Sequence, residues 1–323
     1  MLLQHLPISS INIADDSYRT TFAPRLEELK RSIRTVGLVQ PITVRHTTEG
    51  TFQIITGYKR VLVMKELNRQ SVPALVCEHN EIPPDRAFLM NFHDNAVRGE
   101  MNIIEKSNAL AKLQQFCSLS EEELVTQHLP LLNEEPSYKI LHQLLSLQAL
   151  TEQMRHHVVT TDMALTSAVR IAEFTSTTQQ SLLAVLSYIR PSGAKLNELL
   201  SLIREISARD GVSVESVLDR YKLLTIVADP DASQTEKVKA LRQTLRGIRL
   251  PQLTERQNKL AELIQSLELP DHAKLITDPY FENQKFKLEY QFTQPEELNV
   301  LMMKIKGAFE KQQWQKIFDW YQA

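Results

Sequence analysis

The sequence predicts an α+β protein with a small mixed-sheet domain at the N-terminus, an all-α middle domain and a small α+β unit at the C-terminus. Three observations predict this fold class. Short strand patterns alternate with helix patterns up to about residue 80, and helical periodicity then dominates for roughly 190 residues. Near the C-terminus Phe286, Leu288, Tyr290 and Phe292 alternate as one face of a strand.

The N-terminal domain is predicted to run strand, helix, strand, strand, helix, strand. Its segments are Ile8–Ile13, a helix opened by Pro24 and closed by Gly37, Pro41–Arg45, Phe52–Thr56, Lys59–Leu67 and Val72–Cys77. The Glu49-Gly50 pair marks the hairpin turn between the second and third strands. We therefore expect a compact α/β domain over residues 1–82. Residues 85–117 are expected to be a second, helical segment that contacts a phosphate group or a metal ion.

The rest of the chain divides at turn-forming stretches. Three segments match the capping-box pattern and predict helix starts: Asn102–Glu105, Ser120–Glu123 and Ser233–Glu236. We expect a helical domain over residues 118–250 and an α+β unit over residues 251–323. The aromatic tail of that unit contains Trp314, Phe318, Trp320 and Tyr321, and it packs either on its own domain or on a second copy in a homodimer.

Composition excludes several classes of protein. Lys and Arg total 37 against 39 Asp and Glu, so the net charge of -2 provides no overall field for DNA or acidic membranes. Two cysteines are too few for a disulfide framework. We find no secretory leader and no apolar run of membrane-spanning length, so the expected location is the cytoplasm, without membrane partners.

The strongest local signal is Ile54-Ile-Thr-Gly-Tyr-Lys-Arg60, in which a strand leads into glycine and two cations at a helix start. Free backbone N–H groups and the positive end of the helix dipole favour an anion there, and Arg60 can contact a phosphate with two N–H groups. The alternative is a tight turn whose charges are simply solvated. Gly57, Lys59 and Arg60 are therefore candidate phosphate-binding residues.

A second candidate segment is Asp94-Asn-Ala-Val-Arg98. Asp94 and Asn95 offer the hard oxygen ligands that Mg²⁺ prefers, and Arg98 lies on the same helix face as Asp94. The alternative is an ordinary ion pair between residues i and i+4 on a solvated helix.

These segments, with those before them, resemble the N-terminal domain of the ParB/sulfiredoxin superfamily, and of ParB in particular. The blocks, in order, are Tyr18-Arg19-Thr-Thr21-Phe22, Leu26-x-x-Leu29-x-x-Ser32-Ile33, Gly37-Leu-Val-Gln40-Pro41-Ile-Thr-Val44, Gly57-Tyr-Lys-Arg60 and Asp94-Asn95-Ala-Val-Arg98. Their order and spacing follow the family from about residue 5 to residue 117.

The resemblance implies a protein that binds CTP, or another nucleoside triphosphate, with Mg²⁺ and closes as a clamp on double-stranded DNA. It assigns roles by position. The nucleotide would contact Arg19, Thr21, Gln40, Pro41, Gly57, Lys59, Arg60, Asn95 and Arg98, and the metal would be held by Asp94 and Asn95.

One departure from the family bears on chemistry. The family's Gly-Glu-Arg-Arg motif carries an acidic residue associated with hydrolysis, and Tyr58 occupies its position here. A neutral phenol cannot replace a carboxylate as base or metal ligand, so any triphosphatase (CTPase) activity is expected to be weak. The same residue rules out sulfiredoxin chemistry, which needs a cysteine nucleophile at that position.

In ParB proteins the helical part carries a helix-turn-helix. Its counterpart would be Glu121–Leu132, a turn at Asn133–Pro136 and a recognition helix at Ser137–Leu147, although Pro130 interrupts the first helix. The side chains that could reach base edges are Tyr138, Lys139, His142 and Gln143. Acidic residues outnumber basic ones between residues 121 and 170, which disfavours contact with phosphates. An alternative surface for binding DNA or a partner is formed by the basic residues Lys237, Lys239, Arg242, Arg246 and Arg249.

The favoured hypothesis is a nucleotide-gated DNA-binding or partner-binding protein of the partition or transcription-regulator type. Ligand capture between residues 57–60 and 94–98 would reposition the helical domain about a hinge at Pro83-Pro84. One alternative is a phosphoryl-transfer or nuclease-type enzyme of the same superfamily, with Asp94, Glu100 or Glu66 as base. The other is a protein-interaction scaffold with an empty pocket.

Overall fold

The fold comes from a computed structural model, which describes residues 1–97, 101–283 and 285–322. The chain forms two compact units. Unit 1 contains residues 1–200 and 213–234, and unit 2 contains residues 201–212 and the chain from residue 235 onward. The division into domains at residues 82, 117 and 250 remains a prediction.

Unit 1 begins with a five-stranded mixed sheet. Its strands are β1 (Leu2–Pro7), β2 (Ile11–Asn12), β3 (Ile42–His46), β4 (Phe52–Thr56) and β5 (Ser71–Cys77), in the order β1-β5-β3-β4-β2. The β1/β5 and β3/β4 pairs are antiparallel, and the β3/β5 and β2/β4 pairs are parallel. The predicted hairpin and last strand therefore form where their alternation indicated.

The first strand differs from the prediction. Strand β1 starts at Leu2, and only the short β2 lies inside the predicted span Ile8–Ile13, after a turn of 3-10 helix at Ile8–Ser10. Strand β1 lies at the sheet edge, and Leu2 and Leu3 are exposed. Its sequence does not alternate, so its strand conformation comes from pairing with β5 rather than from local pattern.

Two helices pack on this sheet. Helix α1 (Glu27–Val36) buries Ile33 and is followed by Gly37, whose φ of 78° and ψ of −173° are a backbone conformation that glycine adopts readily. Helix α2 (Tyr58–Glu66) buries Val61, Val63 and Met64. These side chains join the inward residues of β3, β4 and β5 in one apolar core, so both helix starts are held rigidly against the sheet.

Two further helices follow strand β5 along the chain. Helix α3 (Pro84–Ala96) starts directly at the Pro83-Pro84 pair, with Pro84 in the first turn where a missing N–H costs nothing. Helix α4 (Ile103–Cys117) starts at a complete capping box, in which Asn102 and Glu105 bond each other's backbone N–H groups. The capping box at Ser120 and Glu123 is also formed.

The helical remainder of unit 1 follows α4. Its helices are α5 (Glu121–Glu123), α6 (Tyr138–Ser146), α7 (Glu152–Thr160), α8 (Leu165–Ala172), α9 (Ser176–Leu186), the first part of α10 (Gly193–Asp210), α11 (Val214–Arg220) and α12 (Leu223–Val227). The predicted first helix of the helix-turn-helix is irregular: α5 continues as a π-helical turn, and Pro130–Leu132 forms a turn of 3-10 helix before left-handed Asn133. The DNA-binding role of this segment stays a prediction.

Unit 2 contains α13 (Gln234–Arg249), α14 (Pro251–Gln265), a hairpin of β6 (Ala273–Ile276) and β7 (Lys287–Tyr290), α15 (Pro295–Glu310) and α16 (Gln313–Gln322). Trp314, Ile317 and Tyr321 are buried against Leu260 and Leu267 in one apolar cluster. The aromatic tail therefore packs on its own unit. In the described part of the chain, no helix has the length and apolarity needed to cross a membrane.

Candidate nucleotide-binding cleft

A cleft of about 340 Å³ opens in unit 1 where the start of α2 faces α3 and α4. Its walls include six of the sequence-predicted positions or their neighbours: Thr21, Gly57, Lys59, Arg60, Asp94 and Asn95. The Gly57–Arg60 turn and the α3 segment predicted to face it therefore do meet at one cleft. Arg98 lies outside the described residues, as does Glu100.

The start of α2 is shaped by Gly57. This residue has a φ of 96°, and a β-carbon built on it would lie 2.8 Å from Cγ2 of fully buried Ile42. No other residue type fits both the backbone angle and the space. The N–H groups of Tyr58 and Lys59 precede the first hydrogen bond of the helix, which Val61 donates to Gly57, so helix geometry gives them no acceptor within α2 and favours an anion there.

Arg60 is buried, and its guanidinium contacts protein groups on two sides. Nη1 donates to the carbonyl oxygens of Gln40, at 3.1 Å, and Pro41, at 2.7 Å. Nη2 donates to Oδ2 of Asp94 at 3.2 Å. Arg60 thus joins the start of β3 to helix α3. Gln40 and Pro41 do not line the cleft themselves but contact Arg60, which does, through their backbone oxygens.

Asn95 belongs to a network of amides and a hydroxyl. Its Nδ2 donates to the backbone oxygen and to Oδ1 of Asn91, both at 3.0 Å, and lies 3.4 Å from Oγ1 of Thr20. Asn91 is buried, and its Nδ2 donates to the carbonyl oxygen of Ile55 in β4 at 2.7 Å. The network fixes α3 on the sheet and turns the Asn95 nitrogen inward.

Arg19 contacts Tyr58 at the edge of the cleft. Its Nη1 donates to the Tyr58 hydroxyl at 2.9 Å, and its guanidinium carbon lies 4.9 Å from the centre of that ring. Tyr58, at the position where the family carries an acidic residue, therefore binds the Arg19 cation and offers no carboxylate to the cleft.

The strap, defined here as residues 16–22, carries Arg19, Thr20 and Thr21 and is held by a stripe of polar side chains on α4. Four members of that stripe bond the strap backbone. Lys112 donates to the carbonyl oxygens of Asp16, Ser17 and Arg19, Asn108 to that of Thr20 and Asn102 to that of Phe22, and Glu105 accepts from the N–H of Phe22. Because these bonds use main-chain atoms, the Arg19 and Thr21 side chains stay available to the cleft.

Glu105 is the residue that sequence reasoning missed. It is 3% exposed, lines the cleft and lies 3.9 Å from Nζ of Lys59, and burial raises the pKa of its carboxyl. Its two oxygens accept the N–H groups of Phe22 and Asn102. The capping-box pattern did identify it as a helix start, but nothing local showed that the strap and Lys59 would lie against it.

The stripe also joins the strap to helix α7. Oδ1 of Asn108 accepts from Nη2 of Arg155, whose guanidinium carbon lies 5.0 Å from the centre of the Phe22 ring. Nε2 of Gln148 donates to Oγ of Ser107 at 2.8 Å. One face of α4 therefore bonds the cleft-lining strap, and its neighbouring side chains bond the helical part of unit 1.

The predicted base-reading residues lie on α6. Tyr138, Lys139 and His142 are exposed and Gln143 is half-buried. Nε2 of His142 lies 3.1 Å from a carboxylate oxygen of Glu121. An acidic side chain thus stands beside the predicted recognition surface, in line with the charge count of the sequence.

Comparison with known proteins identifies the domain that forms this cleft. Residues 2–90 match the family model of the ParB N-terminal domain. This part of the chain is similar to a ParB N-terminal domain. The match covers the sheet, α1, α2 and the first part of α3, which carry the Gly57–Arg60 side of the cleft.

Relatives of the chain include a probable chromosome-partitioning protein ParB of Pseudomonas putida, 33% identical over 123 residues. A nucleoid occlusion protein of Bacillus thuringiensis is 35% identical over 125 residues. Each alignment covers 38% of this chain and 41% of the relative, so the chain spans about two fifths of the length of these curated relatives.

A solved structure of C-terminally truncated ParB from Caulobacter crescentus, complexed with CTP-gamma-S, is similar to 55% of this chain and 94% of that chain. Its TM-score is 0.27 and its identity 22%. That superposition is too loose for its ligand to be transferred to the present chain.

Substituting Gly57 by Ala tests the shape of the α2 start. We expect Gly57→Ala to cost about 3 kcal/mol or more in thermal unfolding, because a left-handed φ is combined with a clash against buried Ile42. Gly211→Ala is the matched control: Gly211 is the left-handed glycine that follows α10, with a φ of 63°, but a β-carbon there meets nothing within 4 Å, so only about 1 kcal/mol is lost. Equal losses would contradict the close packing at Gly57.

Replacing Lys112 by Met tests the hold on the strap. Met keeps the apolar stem but leaves three backbone oxygens without their cationic donor, so we expect a loss of about 2 kcal/mol. Amide exchange should accelerate within residues 16–22. Gln115→Met, at an exposed position of the same helix, should change neither; an unchanged exchange rate in Lys112→Met would show that the strap is held by other contacts.

Proposed function

We propose that the chain is a nucleotide-gated DNA-binding or partner-binding protein of the ParB type, which holds a CTP-type nucleotide with weak or no hydrolysis. The observation that carries the proposal is the cleft at the start of α2. The N-terminus of α2, Lys59 and a left-handed glycine face it from one wall, and Thr20 and Thr21 of the strap border it. These are donors for several phosphate oxygens at one place.

The proposal gives the predicted residues distinct tasks. The phosphates contact the N–H groups of the α2 start and Lys59, whose side chain is about one-third exposed and can reach a ligand without unfolding. Arg19 and Thr21 meet the nucleotide from the strap. Gln40 and Pro41 border it and fix Arg60 through their carbonyl oxygens. Arg98 remains a predicted phosphate contact.

Asp94 and Asn95 fit a magnesium ion that is held mostly by phosphates. They supply one carboxylate and one carboxamide oxygen, a donor set typical of sites where Mg²⁺ keeps water and phosphate ligands. Among the described residues no three His, Cys, Asp or Glu side chains are grouped as a metal cage. When bound, the ion would neutralise phosphate charge beside Arg60.

Gating is proposed to act at the contact between Arg60 and Asp94. A phosphate entering the cleft competes with Asp94 for the guanidinium, since both are anions and Arg60 already lies within 3.2 Å of the carboxylate. Loss of that bond releases one tie between α2 and α3. Movement of α3 would then pass to neighbouring α4, which is bonded to the strap and to α7.

Hydrolysis is proposed to be slow because Tyr58 offers no carboxylate to the cleft and because the Glu105 oxygens accept backbone N–H groups. Two other carboxylates line the cleft: Asp94, which binds Arg60 when no ligand is present, and Glu28 on α1. Glu66, an alternative base in the enzyme hypothesis, binds Lys30 at 2.6 Å at the far end of α2 and does not line the cleft. The enzyme hypothesis therefore rests on Asp94 alone among the described candidates.

Nucleotide binding can be measured by calorimetry with CTP and ATP, each with and without Mg²⁺. We expect Lys59→Gln to weaken binding about tenfold or more, since a charged hydrogen bond to phosphate is lost. Lys65→Gln, at an exposed position in the last turn of the same helix, is the matched control and should bind as wild type. Absence of binding by wild type in all four conditions would leave the cleft as part of a scaffold.

A homodimer is proposed through α15 of unit 2. Leu298, Met302, Ile305 and Phe309 follow each other at spacings of four, three and four residues, which is the seam of a coiled coil. Met302 and Phe309 are 62% and 60% exposed, and Ile305 packs at the edge of the unit core. Such an apolar stripe on a helix surface is typical of an association face.

The seam can be tested with two adjacent methionines. Met302→Glu places a charge in the stripe and should convert dimer to monomer in sedimentation velocity, because an unpaired charge cannot be buried. Met303→Glu is the control, since Met303 is 76% exposed on another face of α15 and its charge stays in water. Dissociation by both variants, or by neither, would speak against this seam.

A further inference from the structure

A second cavity in unit 1 is separate from the nucleotide cleft. It has a volume of about 210 Å³ and lies between the end of α7, the start of α8 and the segment that leads into α10. None of its lining residues borders the first cleft. Three features of this cavity favour the binding of an anion: a buried hydroxyl, a helix N-terminus and an arginine.

The first feature is the hydroxyl of Ser167 on α8. Ser167 has no exposed surface, and its Oγ has no hydrogen-bond partner among the residues that the structure describes. A buried hydroxyl without a partner costs free energy, so such groups in folded proteins usually have a ligand or a water to bond. The Oγ faces the start of α10: it lies 3.8 Å from the position that a β-carbon would take on Gly193.

The second feature is the N-terminus of α10, an 18-residue helix whose first residue is Gly193. The N–H groups of its first turn have no acceptor within the helix, and the helix dipole places partial positive charge there. Gly193 lacks a β-carbon that would fill the space toward Ala164 and Ser167.

The third feature is Arg190, which lines the cavity two residues before Ser192. Its backbone N–H bonds Gln234, but its guanidinium makes no hydrogen bond or ion pair with any residue that the structure describes. An arginine without an acidic partner, beside a helix N-terminus and a hydroxyl without an acceptor, provides three kinds of donor for one oxyanion.

Two other titratable groups line the cavity. His157 is partly buried near Arg190, and both burial and that cation lower the pKa of its imidazole, which disfavours its charged form. Asp162 is exposed at the cavity and carries the charge that opposes an anion. Arg190 and the helix N-terminus outweigh it in number of donors, while Asp162 lowers the affinity that they give.

From these features we infer that the cavity bounded by Ser167, Arg190 and the start of α10 binds a phosphate group, as inorganic phosphate or a small phosphate monoester. The buried position of Ser167 favours these ligands over a nucleic-acid backbone. A monoester phosphate has one substituent and can enter a recess, whereas a backbone phosphate is tied on both sides. The inference is independent of the proposed nucleotide function.

The test measures the rise in unfolding temperature and the calorimetric affinity with inorganic phosphate and with glycerol phosphate, against chloride at equal ionic strength. We expect wild type to be stabilised by phosphate. Ser167→Ala should keep or raise the unfolding temperature in chloride, because no partner is lost, and yet lose most of the stabilisation by phosphate. A purely structural serine would change both conditions equally, and that result would overturn the inference.

Charge variants complete the test. Arg190→Gln should weaken phosphate binding about tenfold or more, and Asp162→Asn should strengthen it. Arg220→Gln, at an exposed position elsewhere in unit 1, should leave it unchanged. Tighter binding of glycerol phosphate than of inorganic phosphate would identify a monoester as the ligand. Loss of duplex-DNA affinity in Ser167→Ala without any effect of phosphate would also overturn the inference.

Discussion

The buried guanidinium of Arg60 is the interaction on which the cleft depends. It bonds the backbone just before β3 on one side and Asp94 of α3 on the other. A buried arginine is stable only while its donors are satisfied, so the start of α2, the start of β3 and α3 are kept in one arrangement. The chain thus places a buried cation at the wall where the proposed anionic ligand would lie.

The two walls of the cleft are held in place by different kinds of bond. On the strap side, Lys112, Asn108, Asn102 and Glu105 bond main-chain atoms that are present whatever the ligand state. On the α3 side, the bond between Arg60 and Asp94 joins two charged side chains, and a phosphate can replace one of them. A ligand-controlled switch requires one wall that stays fixed and another wall with a bond that the ligand can replace.

The sequence predicted the parts of this site that depend on local pattern. The strand, glycine and cations of residues 54–60 are adjacent, and the left-handed Gly57 follows from the abrupt change from strand to helix. The capping box at Asn102 was equally visible. The burial of Arg60 was not, because its acceptors lie about twenty residues before it and more than thirty after it. Strand β1 was missed for the same reason, since its partner β5 is distant in sequence.

The polar stripe on α4 is a case in which the spacing of residues in the sequence does not predict their contacts. Asn102, Glu105, Asn108 and Lys112 follow helical spacing, and such a polar face normally predicts contact with water. Here the face bonds a segment that lies more than eighty residues earlier, and burial lowers the pKa of Lys112 and raises that of Glu105. Removing two charged groups from water is costly unless each has fixed partners, and the strap backbone supplies them. The strap is therefore ordered by α4, so that any displacement of α4 changes the position of Arg19 and Thr21 in the cleft.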